Sequence, residues 1–182
     1  MLSLKNLCFL AAVAASASAS ILPRAGCDNP IVETDWVDVN GNLVKFETTH
    51  CPSTAIQART NTLNVCGVAC TNTCNSDAGT LPPTTEDCGM IKNAITIFQQ
   101  HSPPSFVVSP SGNKTLSFKT CQFSFVNTGT SDLEYCYTDL SATAGRAGSA
   151  CFPPVMPLHS EGLCTAADRS FNVIAAHTPG SS

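Results

Sequence analysis

Eleven cysteines carry most of the reactive chemistry available to this chain. One of them, Cys8, lies in an apolar run from Leu7 to Ala15 that follows Lys5 and leads to Ala17-Ser18-Ala19, the small-residue pattern of a secretory signal peptide. Cleavage there makes residues 1–19 a leader and residues 20–182 a single secreted, cysteine-rich domain. Ten cysteines remain: Cys27, Cys51, Cys66, Cys70, Cys74, Cys88, Cys121, Cys136, Cys151 and Cys164. An even set in an extracellular chain reads as disulfides, here five, with connectivity that spacing alone does not fix. Cys66, Cys70 and Cys74, at intervals of four, raise the question of a metal or cluster. No histidine stands beside them and the spacing fits no zinc or iron–sulfur pattern, so they read as disulfide anchors, and no metal or other cofactor is expected.

Catalytic chemistry has no comparable signature. His50, His101, His159 and His177 are scattered, and neither G-x-S-x-G nor H-E-x-x-H occurs. His159-Ser160-Glu161 is the most suggestive polar cluster, but the members of a triad meet through the fold rather than as chain neighbours. Binding chemistry looks instead to aromatic rings, because a sugar ring can lay its apolar C–H face on one while its hydroxyls bond nearby polar groups. Trp36, the only tryptophan, stands among Thr34, Asp35 and Asp38; burial in the core is its favoured role, with a sugar platform as the alternative. Tyr135 is the better surface candidate, since helical spacing turns it away from the stripe of Leu133, Cys136, Tyr137 and Leu140.

The elements that would hold these groups follow from pattern. Thr84 and Asp87 fit a capping box, and Cys88, Ile91, Ile95 and Phe98 then share one face of a helix that ends before Pro103-Pro104. Ile31 to Thr48 reads as a hairpin about Asn40-Gly41, with Val37 opposite Val44 and Asp35 opposite Phe46. That turn brings the flanks together, so Cys27 is expected to pair with Cys51. Pro52 to Val65 has no clear period and reads as loop, with room for one short strand. SFVVS and TLSFKTCQFSFVN read as two strands joined across a turn at Pro110 and Gly112, and the phase slip inside the second is expected to be a bulge or bend. The sequon Asn113-Lys114-Thr115 falls in that turn and marks Asn113 for N-glycosylation. Ser131 and Glu134 form a second capping box for a helix ended by Gly145 and Gly148. Cys136 is then expected to pair with Cys151, the competing choice being Cys121 with Cys136. SFNVIAAH is a possible last strand. The fold expected is α+β, one disulfide-stapled domain with an antiparallel sheet and two helices.

Charge and hydropathy narrow the partners. Without Lys5 the mature chain has 8 basic side chains against 13 acidic ones, and no basic cluster, which argues against nucleic acid. No run approaches the roughly 20 apolar residues of a membrane span. The ending HTPGSS is not apolar, so no lipid-anchor tail is expected.

With TTEDCGMIKNAI, LSFKTCQFSFVN, LEYCYTDL and SACFPP in view, the chain resembles small secreted cysteine-rich proteins of basidiomycete fungi over about Cys66 to His177. More loosely, from Thr84 to Cys151, it is similar to the Ecp2-effector-like domain and the glycan-binding Y3-like domain, although Lys119 stands where the former has a glycine. The resemblance implies a compact α+β module that binds a glycan or acts at a cell-wall or host surface, and it carries no functional residue onto a position here. Three readings stand at this stage: a non-enzymatic module binding a glycan or cell-surface component, a small secreted hydrolase or nuclease, and a protein-binding inhibitor or toxin.

Overall fold

The computed structural model describes residues 29–51, 62–79 and 81–180; the leader and Cys27 lie outside them. The expected first hairpin forms from β1 (Ile31–Val39) and β2 (Asn42–His50), with Val37 opposite Val44 and Asp35 opposite Phe46. Asn40 and Gly41 hold φ of 53° and 82°, the positive values that a two-residue turn of this kind needs and that Asn and Gly tolerate. After β3 (Leu63–Asn64), the segment with three cysteines forms β4 (Cys70–Asn75). Helix α1 (Thr85–Phe98) starts as its capping residue dictates, Thr84 Oγ1 accepting from the Asp87 N–H. Ile91 and Ile95 are buried, as the helical spacing requires.

Three expectations for the middle of the chain are corrected. SFVV forms β5 (Ser105–Val108) but does not pair with the segment that follows it. TLSFKTCQFSFVN is two strands, β6 (Asn113–Phe118) and β7 (Cys121–Asn127), joined at Lys119-Thr120 with Lys119 at φ 44°. The slip in hydrophobic phase is therefore a hairpin turn rather than a bulge. Phe118 and Cys121 are partners across it, which puts Leu116, Phe118, Cys121 and Phe123 on one face. Asn113 opens β6 and is half-buried, not exposed in a turn.

The second helix also starts later than expected. Leu133–Cys136 is strand β8, between β3 and β5, with Leu133 and Tyr135 buried. Glu134 caps nothing: its carboxylate accepts from Ser105 Oγ at 2.6 Å and from Asn64 Nδ2 at 3.0 Å. Helix α2 (Tyr137–Cys151) then runs through both glycines that were expected to end it. Their missing side chains serve packing instead. A Cβ on Gly145 would meet Lys92 Nζ at 2.7 Å, and one on Gly148 the Phe152 ring at 2.9 Å. Strands β9 (Glu161–Ala166) and β10 (Phe171–His177) complete the chain, β10 as expected from SFNVIAAH.

The described residues form an α+β fold: an antiparallel seven-stranded sheet ordered β1-β2-β6-β7-β10-β9-β4, a three-stranded sheet β3-β8-β5, and two helices. Both helices pack on one face of the large sheet, α1 over β1, β2, β6 and β7, and α2 over β4, β7, β9 and β10. That inner face supplies Phe46, Leu116, Phe123, Phe125 and Val173 to the main core, where they meet Ile91, Ile95 and Leu140. Four disulfides staple the layers: Cys66–Cys136, Cys70–Cys164, Cys74–Cys151 and Cys88–Cys121. Cys136 and Cys151 thus belong to different bonds, and so do Cys121 and Cys136. Helix α2 is tied to the edge strand β4 and α1 to the central strand β7, because a helix lying on a sheet brings its cysteine closer to the strand beneath than to its own flanks. Cys51 is also disulfide-bonded, while its expected partner Cys27 lies outside the described residues. No described helix is long and apolar enough to cross a membrane.

Candidate functional site

In the seven-stranded sheet, alternate residues point away from both helices. Cross-strand register arranges these outward residues in rows. One row runs Trp36, Lys45, Ser117, Gln122, Ala176, Glu161 and Asn75 from β1 to β4. The next runs Thr34, Glu47, Thr115, Ser124, Ile174, Leu163 and Thr73. Exposure falls from both edges toward the centre, from 58% at Trp36 to 5% at Gln122 and 1% at Ser124.

Trp36 is therefore not the core residue that its type favoured. It sits on the outward side of an edge strand, directly opposite Lys45, whose ammonium pairs with Glu47. Thr115 and Ser124 share a hydroxyl hydrogen bond of 2.9 Å two strands further in. At the opposite end Asn75 Nδ2 donates to Glu161 Oε1 at 2.9 Å. Burial pushes the Glu161 carboxyl above its ordinary range; the Asn75 hydrogen bond pulls it back, and the charge of Asp77 adds to the rise. The face thus combines one exposed indole with ammonium, carboxylate, hydroxyl and amide groups on a hydrogen-bonded scaffold.

Tyr135 does not join it. It lies in β8 rather than on a helix, is 1% exposed, stacks on Phe125 with ring centroids 4.5 Å apart, and bonds Thr143 through its hydroxyl. Strand alternation, not helical spacing, sets its direction, and it turns into the core.

The inner face of the β1 edge is charged as well. Lys114, 6% exposed, donates to Thr48 Oγ1 at 2.7 Å and lies over the Phe46 ring. Burial lowers the pKa of its ammonium, partly offset by the charges of Asp35 and Glu33. Burial, helped by Asp35, pushes the Tyr137 phenol up to about 12. Inward-pointing charge of this kind discourages an edge strand from pairing with another chain.

The residues that could act on a bond do not converge. Ser160 stands in a bend just before β9 and Glu161 opens that strand. Ser160 Oγ and His159 Nδ1 are buried without a hydrogen-bond partner among the described residues, which position no base on that hydroxyl. The sulfurs of Cys66, Cys70 and Cys74 are all held in disulfides, as the anchor reading expected. Cys66, Cys136 and Asp139 lie close together, but the two sulfurs are bonded to each other and Asp139 accepts from the Gly67 N–H at 2.7 Å.

No family model, curated protein or solved structure matches this chain.

Proposed function

We propose that this is a secreted, non-enzymatic module that binds a glycan or glycan-bearing surface through the outward face of its seven-stranded sheet, with Trp36 as the platform. One observation carries the reading: the only tryptophan of the chain stands 58% exposed on a rigid strand, at the head of a row of polar side chains. Exposing an indole forfeits burial energy that a core position would return, roughly 1.5–3 kcal/mol for a large apolar side chain. A ligand that covers the ring recovers it. The polar neighbours suit a sugar, whose hydroxyls can bond Lys45, Glu47 and Ser117 while its C–H face lies on the indole. The disulfides are compatible with secretion, and the sequence resemblance to glycan-binding and effector-like domains points the same way.

The test is a glycan-array screen of the refolded mature protein beside its Trp36→Ala variant. Binding to one structural class of glycan, weakened at least tenfold by the substitution, is expected. Trp36 is exposed and lies outside the core clusters, so the variant should melt within about 2 °C of the parent, as exposed substitutions do.

A further inference from the structure

Strand β1 is an edge of the large sheet, with β2 on one side and no described strand on the other. A two-residue turn makes its flanking pair, Val39 and Asn42, a hydrogen-bonded one, so alternation bonds the odd-numbered residues of β1 to β2. The backbone N–H and C=O groups of Val32, Thr34, Trp36 and Asp38 therefore face the open edge. On the inner face Val37 and Val39 are buried, whereas Glu33 and Asp35 are exposed. The strand carries three carboxylates, Glu33, Asp35 and Asp38, and no basic side chain. Among the described residues Glu33 pairs with His50, while Asp35 and Asp38 have no ion pair. The buried Lys114 ammonium faces Glu33 and Asp35 from β6 but bonds Thr48. The other edge strand, β4, has no charged side chain and is tied down by two disulfides.

We propose that β1 takes up an extended basic segment of a partner protein as an additional strand, with Lys or Arg at alternate positions of the segment lying opposite Glu33 and Asp35. In strand addition the main-chain hydrogen bonds hold the segment and alternate side chains select it. The added backbone lies about 4.8 Å from β1, and side chains directly opposite on one face stand about 5 Å apart at Cβ, within reach of an ion pair. Glu33 and Asp35 are two residues apart and share a face, which sets the spacing of the partner's cations. On the other face the partner residue opposite Trp36 meets an exposed indole, onto which a guanidinium or ammonium group also packs favourably. Inward charge holds off strands of like sign, the β1 of a second copy among them; the same carboxylates admit a strand of opposite sign. The inference goes beyond the glycan reading and stands without it.

The probe is a synthetic peptide of nine residues, the length of β1, that alternates lysine with threonine and valine and is blocked at both ends. Its binding to the mature protein is read at low salt by the fluorescence anisotropy of a dye on the peptide. Saturable binding is expected, about tenfold weaker to the double variant Glu33→Lys, Asp35→Lys. A peptide methylated at every backbone nitrogen keeps the charge but loses the edge hydrogen bonds, and should also bind about tenfold more weakly. Thr34→Pro removes an edge-facing N–H and leaves the ladder to β2 intact, so it should weaken binding likewise. Should that variant fail to fold, the methylated peptide tests the same hydrogen bonds. No binding, or equal binding by the methylated peptide or by one with glutamate in place of lysine, would overturn the proposal. So would a dimer in light scattering that Thr34→Pro dissolves, since a second copy would then hold the edge.

Discussion

Asp87 joins helix α1 to the β6–β7 turn: one carboxylate oxygen accepts from the Thr120 N–H at 3.1 Å and from its hydroxyl at 2.5 Å. Burial would raise its pKa, but the hydrogen bonds from Thr120 outweigh it and leave the group below its ordinary range. A depressed carboxylate contributes stability above its unfolded value of about 3.9, lost as pH falls through the folded value. Asp87→Asn should therefore melt lower than wild type at pH 7, with the gap closing below about pH 4 in melts from pH 2 to 7. Glu161 has the opposite sign: its raised pKa favours the protonated form in the fold, so its stabilising share is present at low pH and lost as pH rises through the folded value. Glu161→Gln keeps an acceptor for Asn75 and should melt higher than wild type at pH 7, the two converging below about pH 4. Equal gaps at all pH values would show that neither carboxylate is held as described. At this scale Trp36 and Tyr135 were legible as candidates but not in direction. The direction of Trp36 depends on which face of β1 the helices cover, and that of Tyr135 on whether LEYC is strand or helix.

Helix α2 is held down by closeness as well as by sulfur. A Cβ on Gly162 would meet Ala147 O at 2.4 Å, a backbone atom that cannot rotate away. Gly162→Ala should lift α2 from β9 and cost about 1–3 kcal/mol, the range of overpacked core substitutions; a denaturant melt of the variant checks it. Loss of the Cys88–Cys121 bond, whose cysteines are 33 residues apart, should cost roughly 3–4 kcal/mol on the chain-entropy model. Peptide mapping without reduction should recover the four pairings seen here, and a linked Cys136–Cys151 fragment would contradict them. Local elements were readable where one signal dominated: Asn40-Gly41 for the hairpin and Thr84 for α1. They were misread where two periods coincided. Leu133, Cys136, Tyr137 and Leu140 fit a helix, yet Leu133, Tyr135 and Tyr137 are equally an alternating strand, and contact with β3 and β5 decides between them. Gly145 and Gly148 looked like stops because nothing in their own segment shows the Lys92 and Phe152 side chains against them.

At the level of the whole molecule, the two helices cover one face of the large sheet, while the other face is exposed at its β1 edge, at Trp36, and buried at its centre, at Gln122 and Ser124. The α+β class and a disulfide-stapled antiparallel sheet with two helices were within reach of pattern and composition, whereas the second, three-stranded sheet was not. Strand order and disulfide partners were not, since β4 meets β9, and β7 meets β10, only across long stretches of intervening chain. The outward face exists only as a product of that order, which lines up Trp36 of β1 with residues as far along the chain as Glu161. Because Trp36 is the only tryptophan, its fluorescence reports on this face alone. Titrating the mature protein with the oligosaccharides that score on the array tests the central claim most directly. A saturable shift in tryptophan emission is expected, with a dissociation constant matching the array and lost from retention assays on Trp36→Ala. Binding that leaves the emission of Trp36 unmoved, or no binding by any glycan class, would contradict it.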